Sequence, residues 1–224
     1  MKGLKHRMTS KYMHIVTCIV TRNAAISTKT LHSMLNINKL VFTFGFTHEY
    51  IYVNDDLSER QSIFLKKIKN CDRLVWIDYS ISVDGETLPK LYDKFVQGYN
   101  CLVLPCVTPG IDWDLFKKKV LSGSHEPVSQ MGLHFDTTVD KCIGENYYTI
   151  TETNPKCWSI DSKQFVKCIR DKKGETTIPL KVSDMFKKLV ERGLKVYTYT
   201  NANIFVTYPH ECIGNILQSA SIHF

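Results

Sequence analysis

The stretch HIVTCIVT at His14–Thr21 decides the fold class, because it is a continuous run of apolar and β-branched residues. Runs without polar alternation are typical of strands that are buried on both faces, as in parallel sheets. Similar runs follow at Asp72–Ile77 (DRLVWI) and Cys101–Pro105, with room for a helix before each. We therefore predict an α/β fold, in which a mostly parallel central sheet carries helices on both faces.

Helix and strand signals fill the intervals. Ser27 is placed to cap a helix that runs to about Asn36, and Ser58 with Gln61 has the spacing of a capping box for a helix to about Lys69. Further helices are predicted to begin at Asp84, Asp112, Asp161 and Ser183. Further strands are predicted at Leu40–Phe46, Tyr50–Val53, Tyr147–Thr151, Cys157–Ile160, Lys195–Thr200 and Ile204–Tyr208.

Length and composition indicate one folded domain. The 224 residues are 43% hydrophobic, enough for a single core, so we take 1–224 as one domain. Periodicity fades over 122–154, which we interpret as irregular chain over a binding cleft. The basic first residues lack the apolar segment of a signal peptide, and no run approaches the roughly 20 apolar residues of a transmembrane helix. The expected location is the cytoplasm, the host cytoplasm if the source is viral.

The net charge of +7 is compatible with three kinds of partner, namely nucleic acid, an anionic membrane surface or a phosphate-bearing substrate. The lysines lie in scattered clusters, which favours solvated helix faces over a nucleic-acid-binding stripe, so no nucleic-acid partner is expected.

Several common α/β enzymes are excluded, because the chain has no Walker loop, no G-x-G-x-x-G after its first strand and no G-x-S-x-G. The eight cysteines have no C-x-x-C spacing and favour a reducing compartment.

Polar residues follow three of the predicted strands, where α/β sheets bind their ligands. Thr21 and Arg22 end the first strand, and Arg22 either reaches a nucleotide or diphosphate or lies in a surface loop. Asp55 either binds a base or ribose or helps to cap the next helix. Asp78 follows the third strand, where a carboxylate can hold a divalent cation against a diphosphate.

Six segments in this order carry a resemblance to a known family. They are HIVTCIVTRNAAISTKTLHSML, NDDLSERQSIFL, RLVWIDYSISVDGETLPKL, LVLPCVTPGIDWDLF, CWSIDSKQF and VSDMFKKLVERGLKVYTYTNANIFVTYPH. Together they resemble the nucleotide-diphospho-sugar glycosyltransferases of the GT-A fold, in a branch like those of large DNA viruses, algae and bacteria. The resemblance spans Met13 to His210 and implies a nucleotide-sugar-binding half at 13–110 and an acceptor-side half at 111–210.

The resemblance implies an inverting transfer of a sugar from a nucleotide-diphosphate sugar to a hydroxyl of a glycan or glycoprotein acceptor, with Mn²⁺ or Mg²⁺ as cofactor. It also implies a role for each matching residue. The donor-binding residues would be Thr21, Arg22, Asp55, Arg60 and Asp78; the metal ligands Asp78, Ser80 and His210; the catalytic base Asp184; and the acceptor-side residues Trp113, Trp158 and Asp161.

Two departures from the family pattern keep other functions open. The Asp-x-Asp of the family is Asp78-Tyr79-Ser80 here, so its second carboxylate is missing, and the Glu-Asp is Ser183-Asp184. A metal-independent enzyme and an inactive nucleotide-sugar-binding protein are therefore alternatives. The basic net charge leaves a nucleic-acid-binding module as a third alternative. Without the resemblance, the sequence is equally consistent with Asp184 as an ordinary acid at a helix start. Trp113 and Trp158 are then interpreted as core residues.

Overall fold

A mixed eight-stranded sheet organises the part of the chain that the computed structural model describes, namely residues 13–92, 99–170, 174 and 176–206. The strands are β1 (His14–Thr21), β2 (Thr47–Asn54), β3 (Arg73–Ile77), β4 (Ile81–Val83), β5 (Cys101–Leu104), β6 (Thr137–Gly144), β7 (Tyr147–Thr153), β8 (Cys157–Asp161), β9 (Val196–Tyr199) and β10 (Ile204–Val206). The helices are α1 (Thr28–Phe44), α2 (Leu57–Ile68), α3 (Leu88–Tyr92), α4 (Trp113–Leu121), α5 (Ser162–Ile169) and α6 (Val182–Glu191), with a 3-10 turn at Val128–Gln130.

The strand order is β2-β1-β3-β8-β5-β9-β7-β6, and β10 pairs with β4 in a separate two-stranded sheet. β1 is parallel to both β2 and β3, and β5 is parallel to β9. β8 lies between β3 and β5 and runs antiparallel to both, as β7 does to β6 and β9. The sheet is thus parallel on the β2-β1-β3 side and mixed beyond it.

Helices cover both faces of the sheet, and the alternation of side chains along β1 shows the two faces. Val16, Cys18 and Val20 belong to a core cluster that includes residues of α2, α5 and α6, whereas Ile15 and Ile19 belong to a second cluster with α1 and α3. A central strand with a core on each side must be apolar at almost every position. This confirms the α/β fold expected from His14–Thr21.

The predicted strand at Leu40–Phe46 is wrong, because α1 continues to Phe44 and ends at Gly45 with a left-handed φ of 65°. Met34 and Ile37 are buried three positions apart, and Leu40 and Val41 pack beside them at the next turn. This spacing follows the period of a helix. Phe42 is 91% exposed, which an apolar strand interior would not allow. Phenylalanine, valine and threonine are frequent in the segment and favour strands, and packing against β4 and α3 overrides this preference.

The segment 122–154 is more ordered than expected, since β6 and β7 form a hairpin across 137–153. Only the β7 part was predicted. Beyond its first residue β6 is exposed throughout. It therefore lacks the alternation of apolar and polar residues from which a half-buried strand is recognised.

Helix starts follow the predictions in part. Asp112 and Asp161 cap α4 and α5 as expected, each accepting a backbone hydrogen bond from the third residue on. The cap of α2 is Asp56 rather than Ser58. α6 begins at Val182 after Lys181, so Ser183 is not its cap. Among the residues described, no helix has both the length and the apolar character needed to cross a membrane.

Candidate functional site

Three strand ends meet at one edge of the sheet, which is the edge predicted to carry the donor site. Thr21 pairs with Asn54 across β1 and β2, and β3 ends beside them. The backbone amide of Asp55 donates to the carbonyl of Thr21 at 2.9 Å. Because the three strands are parallel, the residues that follow them lie side by side.

The charged side chains at this edge form a chain of alternating sign. We refer to it as the strand-end cluster, and its members are Arg22, Asp55, Arg60 and Asp78. Arg22 Nε lies 2.5 Å from Asp55 Oδ2, and Arg60 donates from Nη2 to Asp55 Oδ1. Arg60 also donates to both oxygens of Asp78, from Nη2 to Oδ1 at 2.7 Å and from Nη1 to Oδ2 at 3.3 Å. Residues far apart in the sequence are thus joined at one edge of the sheet, and their role in donor binding stays a prediction.

Arg60 is the innermost member of the strand-end cluster. Its side chain is 14% exposed, against 54% for Arg22. It projects from the first turn of α2, whose cap at Asp56 sets the start of the helix directly after β2. The Nε of Arg60 is buried and has no hydrogen-bond partner among the described residues. The guanidinium therefore depends on the two aspartates to offset its desolvation.

Arg22 is the outermost member, and a tight turn presents it. Arg22 and Ala25 exchange backbone hydrogen bonds of 3.2 and 2.8 Å, and both residues between them have positive φ, 50° at Asn23 and 55° at Ala24. The hydrogen bond to Asp55 raises the pKa of Arg22, which stays a full cation. The guanidinium lies 4.9 Å from the ring centre of Tyr79. Neither of its terminal nitrogens has a hydrogen-bond partner within the described chain.

Thr21 lies beneath the strand-end cluster rather than in it. It is 7% exposed, and its hydroxyl donates to the carbonyl of Val53 at 3.3 Å. Its side chain therefore ties β1 to β2. Its assignment to donor binding stays a prediction.

The residues predicted to hold a divalent cation do not assemble a metal site in the described chain. Both oxygens of Asp78 are bound by Arg60, and Oδ1 also accepts the amide of Tyr79 at 2.8 Å. Ser80 is 5% exposed with a φ of 62° and supplies no carboxylate. Within the described ranges, no three His, Cys, Asp or Glu side chains come together in a way that could hold a metal ion. The third predicted ligand, His210, lies outside the described residues, so the divalent cation stays a prediction.

A cleft between α6 and β7 contains the predicted catalytic base. The cleft has a volume of about 380 Å³ and is lined by residues of α6, of β7 and of the segment before β6. Asp184 lines it from the first turn of α6 and is exposed. An acid in this position is favoured by the helix dipole. We call this space the α6–β7 cleft.

Asp136 lines the same cleft and was missed by the sequence analysis. Its Oδ1 accepts the backbone amide of Cys106 at 2.9 Å and the hydroxyl of Thr137 at 3.0 Å. Its Oδ2 is buried without a hydrogen-bond partner in the described part of the chain. Burial raises the pKa of this carboxyl, although the Cys106 amide, Thr137 and Lys156 lower it. No local pattern marks Asp136, because the segment before an exposed strand shows no periodicity.

Two predicted acceptor-side residues lie elsewhere. Trp158 is 2% exposed and stacks on Trp76 at 5.9 Å in the core, so it cannot stack on a sugar. Asp161 caps α5. It lies opposite Arg73, at the beginning of β3, in the strand ladder, because β8 runs antiparallel to β3. Asp78 follows the other end of that strand, five residues or about 17 Å away. Trp113 is 67% exposed at the start of α4 and remains free to contact a ligand.

A larger cavity, of about 890 Å³, opens at the opposite edge of the sheet, where β1 and β3 begin. Its charged lining is mostly basic and comprises Lys69, Lys163, Lys167, Arg170 and Asp72. None of the four cations forms an ion pair with a described acidic residue. The cavity is separate from the strand-end cluster, and it is where the alternative of a nucleic-acid-binding module would be tested. That alternative stays a prediction.

Comparison with known proteins identifies the fold. No protein-family model matches the sequence, and no curated protein matches it. Among solved structures, A197 from STIV superposes with a TM-score of 0.50 at 10% identity, covering 88% of this chain and 86% of that one. GalNAc-T7 in complex with UDP, GalNAc and Mn²⁺ superposes with a TM-score of 0.51 at 13% identity, covering 90% of this chain but only 45% of the GalNAc-T7 chain. At such identities the likeness concerns the fold, and the chain adopts a single α/β, Rossmann-like domain of the GT-A type.

Proposed function

We propose that the chain binds a nucleoside-diphosphate sugar at the strand-end cluster and transfers the sugar to a hydroxyl group of a glycan or glycoprotein. The observation that carries the proposal is the placement of Arg22. Its guanidinium is 54% exposed at the end of the central strand, held through Nε by Asp55, and its terminal nitrogens are unpartnered among the described residues. A guanidinium that is oriented but not saturated is suited to bind a diphosphate in bidentate fashion.

Donor binding would use the half of the chain at 13–110. Arg22 would bind the diphosphate, with the ring of Tyr79 beneath its guanidinium. Asp55 and Arg60 would hold Arg22 in position rather than contact the ligand themselves, since each is already engaged within the cluster. Preorganisation of this kind reduces the entropy lost on binding.

Sugar transfer would take place toward the half at 111–210. The acceptor hydroxyl oxygen attacks the anomeric carbon, the bond from that carbon to the diphosphate oxygen breaks, and the nucleoside diphosphate leaves with the bonding electrons. Asp184 accepts the hydroxyl proton as general base. Attack opposite the leaving group inverts the anomeric configuration. The exposed Trp113 is a candidate for stacking on the acceptor sugar.

A divalent cation would supply positive charge to the departing diphosphate. The described residues do not fit such an ion, because Arg60 binds both oxygens of Asp78. The proposal therefore includes no step that requires the metal.

The alternative within this fold is a protein that binds nucleotide sugars without transferring them. The missing second carboxylate at Ser80 and the paired state of Asp78 favour it. Donor binding without turnover, for every acceptor offered, would support this alternative. Release of free sugar or a glycosylated product would refute it.

The decisive experiment is a binding screen of UDP, GDP and ADP, each with a matching nucleotide sugar, by thermal shift followed by calorimetry. One nucleoside diphosphate should raise the melting temperature by mass action. Arg22→Ala should weaken its binding by about tenfold or more, as expected for loss of a charge-assisted bidentate contact.

Lys163→Ala is the matched control, because it removes a cation from the cavity at the opposite edge. It should bind like the wild type. If no nucleoside diphosphate binds, or if Arg22→Ala binds as well as the wild type, the proposed donor site is wrong.

A further inference from the structure

The guanidinium of Arg60 lies where a metal ion bound by both oxygens of Asp78 would lie. It contacts both carboxylate oxygens, at 2.7 and 3.3 Å. A Mg²⁺ or Ca²⁺ ion takes carboxylate oxygens at about 2.0–2.6 Å, on the side of the lone pairs that Arg60 already fills. A cation added to Asp78 would meet the guanidinium at close range, and repulsion between the two cations would oppose its binding.

The surroundings hold Arg60 in this position. Its Nη2 bridges Asp78 and Asp55, and its side chain is only 14% exposed. It also borders a small apolar cavity lined by Phe64 and Trp76. If the guanidinium of Arg60 moved away from Asp78, a charged group would lie in a largely apolar environment without this partner, which is costly.

Ser80 stands where the Asp-x-Asp motif has its second carboxylate, and it does not favour a metal ion either. Ser80 is buried and has a left-handed backbone, which directs the chain from Asp78 into β4. A serine offers no negative charge to compete with Arg60 for a cation. One carboxylate and one arginine thus stand where two carboxylates would be needed to bind a metal ion tightly.

We infer that Arg60 replaces the divalent cation at this site, so that the chain binds the nucleoside diphosphate of its donor without a metal ion. Arg60 is a positioning residue in this arrangement. It neutralises Asp78 and, through Asp55, directs Arg22 toward the diphosphate. The inference rests on the proposed function, since it concerns the same site.

Calorimetry with the nucleoside diphosphate found in the screen tests the inference, in EDTA and in millimolar Mn²⁺. The dissociation constants should agree within about twofold. Binding that appears only with Mn²⁺ would overturn the inference and leave the proposed donor site intact. Absence of binding under both conditions would overturn the donor site, and the inference with it.

Titration of Mn²⁺ alone, followed by the electron paramagnetic resonance signal of the free ion, gives a readout independent of the ligand. The wild type should not bind Mn²⁺ at this site, whereas the double variant Arg60→Met, Ser80→Asp should gain binding. Adding Asp78→Asn to that variant is the control and should abolish the gain. Mn²⁺ binding by the wild type that Asp78→Asn removes would overturn the inference, even if the double variant does not fold.

Discussion

The strand-end cluster and the α6–β7 cleft both contain two aspartates, but the surroundings of the carboxylates differ. In the cluster, Asp55 and Asp78 each contact a guanidinium. In the cleft, Asp184 forms no ion pair within the described chain, and Asp136 keeps one buried oxygen without a hydrogen-bond partner. A paired carboxylate orients its partner and is a poor proton acceptor. An unpaired carboxylate beside a cavity is suited to accept a proton.

The largest effect should follow from removing the proton acceptor of the cleft. Asp184→Asn keeps the shape of the side chain, and we expect the rate of sugar transfer to fall by about 10²–10⁴-fold, the usual contribution of a general base. The dissociation constant of the donor should not change, because Asp184 forms no ion pair or hydrogen bond with the strand-end cluster in the described chain. Steady-state kinetics with the donor from the screen measure the rate, and calorimetry measures the dissociation constant.

Asp136→Asn is the companion variant for the transfer assay. If Asp136 only supports the loop through Cys106 and Thr137, this variant keeps most of the activity. If Asp184→Asn is fully active and Asp136→Asn is inactive, Asp136 and not Asp184 is the general base.

Breaking the pairing in the strand-end cluster should destabilise the fold. Arg60→Met leaves Asp55 and Asp78 partly buried without their shared cation, and we expect a loss of about 2 kcal/mol in the free energy of unfolding, less than for a fully buried pair. Urea denaturation measures it.

Arg60→Met combined with Asp78→Asn should recover part of this loss, because Asp78 is then neutral, while Asp55 keeps its ion pair with Arg22. An Arg60→Met protein as stable as the wild type would mean that the cluster contributes nothing to the fold.

The buried Oδ2 of Asp136, which has no hydrogen-bond partner in the described chain, should cost stability at neutral pH. Because the pKa of Asp136 is raised by burial, the folded state prefers the protonated carboxyl. The stability that protonated Asp136 contributes is therefore fully present below the pKa that this carboxyl has in the unfolded chain. It is lost as the pH rises through the higher pKa of the folded state. Asp136→Asn should stabilise the protein by about 1 kcal/mol at pH 7 and by less at acidic pH.

Urea denaturation over a series of pH values tests this difference. Glu145→Gln, at an exposed position in the β6–β7 turn, is the control and should not change the pH dependence. A destabilised Asp136→Asn protein at pH 7 would show that the hydrogen bonds to Oδ1 outweigh the burial of the charge.

The smallest effect concerns the turn that presents Arg22. Ala24 has a φ of 55°, where an L-residue with a Cβ is strained and glycine is not. Ala24→Gly should raise the stability by about 0.5–1 kcal/mol and leave donor binding unchanged. Thermal unfolding compares it with Ala25→Gly, whose backbone has no positive φ and which should be slightly destabilised. Equal effects at the two positions would show that the turn is not strained.

The sequence predicted well which residues follow the parallel strands, for a local reason. The strands at His14–Thr21, Asp72–Ile77 and Cys101–Pro105 were recognised from their apolar runs, and each lies within about one residue of its observed bounds. Once β1 and β3 are known to be parallel strands separated by helices, the residues after them must share an edge. Arg22, Asp55 and Asp78 could therefore be grouped before any coordinates. Their roles in binding, the two proposed halves and the cytoplasmic location remain predictions.

The tertiary structure alone decided what surrounds these residues. Neither the direction of β8 nor the contact between Arg60 and Asp78 is encoded in local periodicity, because each depends on which segments pack together in space. The antiparallel β8 moved Asp161 to the opposite edge and buried Trp158 in the core. The packing of the loop around Cys106 against the segment before β6 brought Asp136 into the cleft with Asp184. Apolar patterning thus determined the strands and their ends, while long-range packing determined which charges are paired.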